Sequence, residues 1–260
     1  MILVRSTWKE VEAYLARSRG IVIPIGSTEQ HGPIGLIGTD ALTAEAIACG
    51  LGERADALVG PTIALGVAQF NLDFPGTVSL RATTLMALIE DYVLSLARQG
   101  FERFYFVNGH GGNIAPARAV FQDIYAAWSL GARTGTVPRC RLRSWWEYPE
   151  ANRLRNELYG AGEGIHATPS EIAITQHAHP AWMQTGKRTG AENPPPQASA
   201  EFLRDHGGDN HWDAATHRAA FPDGRVGSHS ALAKPEHGAA LLEASIAGAV
   251  DDYRAFLAEP

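Results

Sequence analysis

Apolar positions along the chain fall into two kinds of segment. Short uninterrupted runs, IVIPI at 21–25 and ALVGPTIAL at 57–65, have the pattern of strands buried on both faces. Longer stretches repeat apolar residues every three or four positions, which predicts helices over 7–18, 39–54, 83–99, 115–129 and 235–257. Thr7 is a cap for the first of these and Gly100 a stop for the third. The aromatic-rich run 103–107 predicts a strand, and Thr168-Pro169 opens another helix. FNLDFPGTVSL, 70–80, reads as a loop and a short extended piece, its Pro-Gly pair marking a turn. Strands alternating with helices across 20–140 predict an α/β fold, a mostly parallel central sheet with helices on both faces. No repeat or internal boundary interrupts the pattern, so residues 1–260 are expected to form one domain; ENPPPQASA, 192–200, reads as an extended surface loop.

In such sheets ligands gather beyond the carboxyl ends of the strands. Two loops at such ends are unusual. IVIPI runs into GSTEQHGPIGLIGTD, and the 103–107 strand runs into NGHGGN. Residues i and i+2 of an extended segment share a side, so Glu29 and His31 can face one site. Asp40 starts the next helix, and His110 sits between glycines at the second strand end. GIHATPSEIAITQ adds His166 and Glu171. Taken singly, Asp40 could be a helix cap, His110 a hydrogen-bonded core histidine and Glu171 a first-turn acid. NGHGGN could be an anion-binding loop, although it lacks the dinucleotide and P-loop patterns. Taken together, two imidazoles and three carboxylates suit a pair of Zn²⁺, Mn²⁺ or Fe²⁺ ions, one carboxylate bridging.

Composition narrows the setting. A net charge of -6 with scattered basic residues gives no footprint for nucleic acid or an anionic membrane. No apolar run approaches the roughly 20 residues of a membrane span. The N-terminal segment does not read as a signal peptide, and two distant cysteines fit a reducing cytoplasm. Of the other histidines, His177 and His179 read as cations at a helix C-terminus. His206, His211, His217, His229 and His237 are expected at the surface or an interface.

GSTEQHG…TD, FPGTVSL, FVNGHGGN and HATPSE, in this order, together with GRVGSHSALAKPEHGAALLEA at 224–244, resemble the creatininase (creatinine amidohydrolase) family of metal-dependent amidohydrolases. The resemblance implies a dinuclear site and hydrolysis of a C–N bond other than a peptide bond in a small cyclic or formylated substrate. Glu29 and His110 would hold one metal, His31 the other, and Asp40 would bridge. Where creatininase proper has a ligand glutamate two residues after the N-G-H histidine, this chain has Gly112, and the resemblance assigns that role to Glu171. His166 would be the acid/base. Asn71, where many members carry histidine, and the Trp145–Trp146 pair would contact substrate, the tryptophans being equally readable as core. Thr168 replaces the usual glycine. The same site could serve a metallopeptidase, a deformylase of a pyrimidine intermediate or a cyclic keto-sugar hydrolase. A nucleotide-binding module of Rossmann type and a structural protein with solvated acids are the non-enzymatic alternatives; both predict no bound metal. A homo-oligomer, commonly a hexamer, is also implied, with 145–159 and 190–225 as contact surfaces.

Overall fold

The computed structural model describes residues 1–183, 190–198 and 213–260. Four strands, β1 (Gly20–Ile25), β2 (Leu58–Val59), β3 (Arg103–Asn108) and β4 (Arg139–Ser144), form an all-parallel sheet in the order β2-β1-β3-β4. Among the described residues the longer α-helices are α1 (Trp8–Leu15), α2 (Thr39–Arg54), α3 (Ala82–Ala97), α4 (Ile114–Ser129), α5 (Pro149–Tyr159), α6 (Pro169–Ala178), α7 (Ala214–Ala220) and α8 (Pro235–Ala258).

Strand alternation decides which helices cover which face. Ile21, Ile23 and Ile25 of β1 and Phe104 and Phe106 of β3 pack with Leu85, Ile89 and Val93 of α3 and Val120 and Phe121 of α4. Val22, Tyr105 and Val107 point the other way, onto Ile47 and Leu51 of α2 and Leu241, Ala249 and Tyr253 of α8. Both faces are therefore apolar, which is why the strands read as continuous runs. Ile25 pairs with Asn108 and Asn108 with Ser144, so the carboxyl ends of β1, β3 and β4 finish level. Everything that follows β1 and β3 leaves from one rim.

Several sequence-based boundaries hold. Helix α2 runs over 39–54 as expected, and Thr7 forms a capping box with Glu10 at the start of α1. The expected strand 57–65 is shorter: only Leu58–Val59 pair as a strand, and Ile63 rejoins β1 by a single bridge to Ile25. Pro61, between them, has no N–H to give a ladder. Strand β4 has no counterpart in the apolar pattern because RCRLRS alternates arginines. It is the edge of the sheet, where Arg143 Nε sits 3.1 Å from Asp252 Oδ2 of α8. Among the described residues no helix is long and apolar enough to cross a membrane.

Candidate metal centre

The rim is assembled by close backbone packing. A Cβ at Gly26 would lie 2.3 Å from the Ala41 nitrogen, and one at Gly109 would lie 2.2 Å from the Asp40 carbonyl oxygen. Only glycine at the ends of β1 and β3 lets the first turn of α2 press between them, and that turn carries Asp40. Beyond Gly26 the chain stays extended: Val78 donates its N–H to the Thr28 carbonyl and Glu29 donates its own to Ile37. This is the role of the FPGTVSL segment, which edges the loop carrying Glu29 and His31. The NGHGGN asparagines also serve the fold. Asn108 Oδ1 accepts the His110 N–H at 3.1 Å, and Asn113 Nδ2 donates to the Gly26 carbonyl at 2.9 Å.

Glu29, His31, Asp40, His110, His166 and Glu171 all converge, and all but the partly covered His166 are buried. Asp40 stands in the middle. Its Oδ1 is 2.9 Å from His31 Nε2 and its Oδ2 is 3.0 Å from His110 Nδ1. Glu29 Oε1 lies 3.2 Å from His110 Nδ1 and 3.6 Å from His166 Nδ1, while Glu171 Oε2 lies 3.8 Å from His31 Nε2. Three overlapping donor sets result: Glu29–Asp40–His110, His31–Asp40–Glu171 and Glu29–His31–His166, each with donor atoms within 4.8 Å of one another.

Each imidazole is oriented by a backbone carbonyl. His31 Nδ1 donates to Glu29 O at 3.0 Å, His110 Nε2 to Val67 O at 2.9 Å and His166 Nε2 to Gln30 O at 2.7 Å. The other nitrogen of each ring is thereby turned toward the carboxylates. A histidine whose N–H is fixed by the protein presents a lone pair at the opposite nitrogen, the usual arrangement of a metal ligand. Both oxygens of Glu29 and Oδ2 of Asp40 are buried without a hydrogen bond. Acceptors facing lone pairs in a dry site are costly unless cations or protons lie between them.

With protons only, burial opposes charge on His31, but Asp40 and Glu171 outweigh it and push the ring up to about 10. His110 is likewise raised, burial being outweighed by Glu29 and Asp40. Burial would lift Asp40, yet the two histidines hold it down to about 2. Burial pushes Glu171 up to about 7. It pushes His166 down to about 3, with Glu29 opposing and His31 assisting. A cation must therefore displace protons from His31 and His110. Titration calorimetry of chelated protein with Zn²⁺ or Mn²⁺ near pH 7.5, in buffers of different ionisation enthalpy, should show about two protons released. Apparent affinity should climb as pH rises from 7 toward 10; a pH-independent affinity would contradict this protonation scheme. The stability His31 lends the cation-free chain runs the other way: it is full below about 6.5 and lost as pH rises to about 10.

A family model described as creatinine amidohydrolase matches residues 4–252. The chain belongs to the creatininase family. It is 41% identical over 125 residues to the mycofactocin precursor peptide peptidase of Mycolicibacterium smegmatis, a match covering 45% of this chain and 50% of that one. It is 36% identical over 113 residues to the creatinine amidohydrolase of Pseudomonas putida, covering 41% and 44%. The chain thus spans about half the length of the curated relatives it matches. Among solved structures, a creatininase variant complexed with creatine superposes with a TM-score of 0.80 at 25% identity, covering 98% of this chain and 97% of the other. A structure named Creatininase Mn does so at 0.81, with 24% identity and 99% coverage of each, which speaks to the fold.

A Cβ at Gly112 would lie 2.2 Å from Val67 O and 2.6 Å from His110 Nε2, so the loop after β3 has no room for a side chain there. Glu171 reaches the cluster from the first turn of α6. Asn71 is fully buried; its Oδ1 accepts from Gln30 Nε2 at 2.8 Å and its Nδ2 lies 3.5 Å from His166 Nε2. Trp145 is buried among α2, α5 and α8 residues, edge-on to half-buried Trp146 at 5.9 Å. Both follow the rim end of β4.

Other side chains gave no signal in the sequence. Gln30 ties the Asn71 amide to the Gly224 carbonyl. Arg225, fully buried, is held by Asp223 and donates to the carbonyls of Ala191 and Asn193. Buried Glu163 was likewise missed. His217, expected at the surface, is 4% exposed and packs 5.1 Å from both Phe70 and Phe221. His229 and His237 are half-buried; His206 and His211 lie outside the described residues. His177 occupies the last turn of α6, and His179 at its C-cap stacks on Trp182 at 4.7 Å, where burial lowers its pKa.

Proposed function

We propose that this creatininase-family chain is a metal-dependent amidohydrolase that holds two divalent cations and cleaves a C–N amide bond of a small cyclic or formylated substrate. One observation carries the reading: Asp40 divides its two oxygens between His31 and His110, with a further carboxylate, Glu171 or Glu29, beside each imidazole. Glu29, Asp40 and His110 would hold one ion, and His31, Asp40 and Glu171 the other. The unpartnered Glu29 and Asp40 oxygens and the three carbonyl-anchored imidazoles fit such ions. Zinc or manganese is favoured by the mixed nitrogen and oxygen donors, and structural neighbours are named for manganese and for a Zn-Zn type. When bound, such ions polarise a substrate carbonyl and lower the pKa of water from ~15.7 toward about 7.

The chain's own groups do the rest. His166, neutral and fixed through Nε2, offers Nδ1 to take a proton from the attacking water and return it to the departing nitrogen. Gln30 supplies the carbonyl that holds the ring, and Asn71 walls its flank. Trp145 and Trp146 are proposed to shape the side of the pocket beyond β4. The burial of Glu29, His31 and Asp40 keeps bulk water from the charges and strengthens every interaction among them. A peptide amide is the second reading, favoured by the 41% identity to a peptidase. The free thiols Cys49 and Cys140 support a cytoplasmic setting, and a homo-oligomer, hexameric by resemblance, belongs to the same reading.

Elemental analysis of purified chain should give about two transition-metal ions per chain. A panel of cyclic amides, formamides, a cyclic keto-sugar and short peptides should then reveal which amide is cut. His166→Ala should keep both ions while lowering kcat by about 10²–10⁴-fold. Metal-free protein that hydrolyses at the full rate, or a His166→Ala enzyme with undiminished kcat, would overturn the reading.

A further inference from the structure

Outside the donor sets, a buried polar chain that begins at Glu163 ends on Glu171. Glu163 sits in the loop before α6, 4% exposed, an unusual place for a carboxylate unless it is paired. Its Oε1 receives Arg155 Nε at 3.0 Å and the hydroxyl of Ser170. Ser170 Oγ is 3.1 Å from Thr168 Oγ1, and Thr168 Oγ1 accepts the Glu171 N–H at 3.3 Å. The Thr168 N–H in turn donates to Glu171 Oε1 at 2.6 Å, completing a capping box.

The direction of these bonds follows from the chemistry of the groups. Ser170 spends its single hydroxyl proton on Glu163 Oε1, which accepts it. Ser170 Oγ is then an acceptor, and the Thr168 hydroxyl donates to it. Thr168 Oγ1 keeps its lone pairs for the Glu171 N–H. Every hydroxyl proton has one place to go, and the run ends on the backbone and side chain of Glu171. One oxygen of Glu171 is thereby committed to the cap; the other, Oε2, is left facing His31 Nε2 at 3.8 Å. Without the anion at 163, Ser170 could turn its proton onto Thr168 Oγ1 and compete with the Glu171 N–H for it.

We infer that Glu163, acting through Ser170 and Thr168, is a positioning residue that fixes Glu171 as a ligand of the second cation. This inference rests on the two-cation reading above. The position of Gly112 explains why such support is needed: the ligand comes from a helix N-terminus at the far side of the site, not from the β3 loop that carries His110.

The test is stepwise Zn²⁺ binding to chelated full-length protein, read by competition with a chromophoric chelator, for wild type, Glu163→Gln, Ser170→Ala and the double variant. The first ion should bind within about twofold of wild type in all four. The second should weaken by about 10–100-fold in each single variant, the range for loss of an outer hydrogen-bond partner. If Glu163 acts only through Ser170, the double variant should be no worse than the worse single one. Second-ion affinity within threefold of wild type in both folded single variants would overturn the inference. So would equal weakening of both ions, which marks a general structural role. If Glu163→Gln does not fold, Ser170→Ala, which removes only one buried oxygen, carries the comparison. A wild-type chain that takes up fewer than two ions would instead overturn the two-cation reading, and this inference with it.

Discussion

Asp40→Asn is expected to release both cations and lower the hydrolytic rate by about 10³-fold or more. Asp40 belongs to two of the three donor sets, and its two oxygens face different imidazoles. An amide of the same shape can offer one acceptor only; its NH₂ group must point at either His31 Nε2 or His110 Nδ1, so that position is lost to a cation and the two can no longer share one side chain. Losing a Lewis acid forfeits several kcal/mol of transition-state stabilisation, and each ~1.4 kcal/mol is tenfold in rate. In the cation-free state the same change leaves two raised histidines with less negative charge around them. Removing one partner from a buried charged network costs about 3–5 kcal/mol, so the variant's melting temperature should also fall. Elemental analysis, initial rates and thermal unfolding check this together. A variant that keeps two ions and wild-type turnover would refute the central role of Asp40.

Gly109→Ala should be a strongly damaging single-methyl change at the rim. The added Cβ would meet the Asp40 carbonyl oxygen at 2.2 Å, its carbon at 2.9 Å and its Cα at 3.2 Å, all backbone atoms that cannot rotate away. Overpacking of this kind costs about 3 kcal/mol, which for a chain of this size lowers Tm by roughly 6–12 °C. The relief available, a shift of the first turn of α2, moves Asp40 away from His110, so metal affinity should fall with stability. Gly111→Ala is the control. Nothing lies within 4 Å of its new methyl, and the change should stay within about 0.5 kcal/mol of wild type. Calorimetry of the two variants decides it: equal melting temperatures would show that the contact between β3 and α2 is softer than the geometry requires.

These two positions also show what the sequence makes legible. Glu29, His31, Asp40 and His110 could be grouped because an uninterrupted apolar strand followed by glycines and acids is an unfavourable way to end a strand unless the rim has a use for them. Helix α2 was readable to its last residue because its periodicity and its Thr-Asp start agree. Strand β4 was not, since an edge strand paired to an acidic helix carries arginines that mimic a solvated loop. Gln30 and Glu163 were invisible for a different reason. The partners of Gln30 lie far off in sequence, one of them a backbone carbonyl, and those of Glu163, the side chains of Arg155 and Ser170, sit at spacings that match no motif. The burial of His217 depends on Phe70, from the other half of the chain, and only the folded arrangement brings the two rings together.

Helix α6 makes its capping acid and the proposed second-ion ligand one and the same side chain. Ordinary protein engineering treats a helix cap as a free adjustment, to be strengthened for heat resistance without touching chemistry. At Thr168 and Glu171 that separation does not exist: a thermostabilising library screened on melting temperature alone would be selecting, unknowingly, for how tightly the enzyme grips a cation.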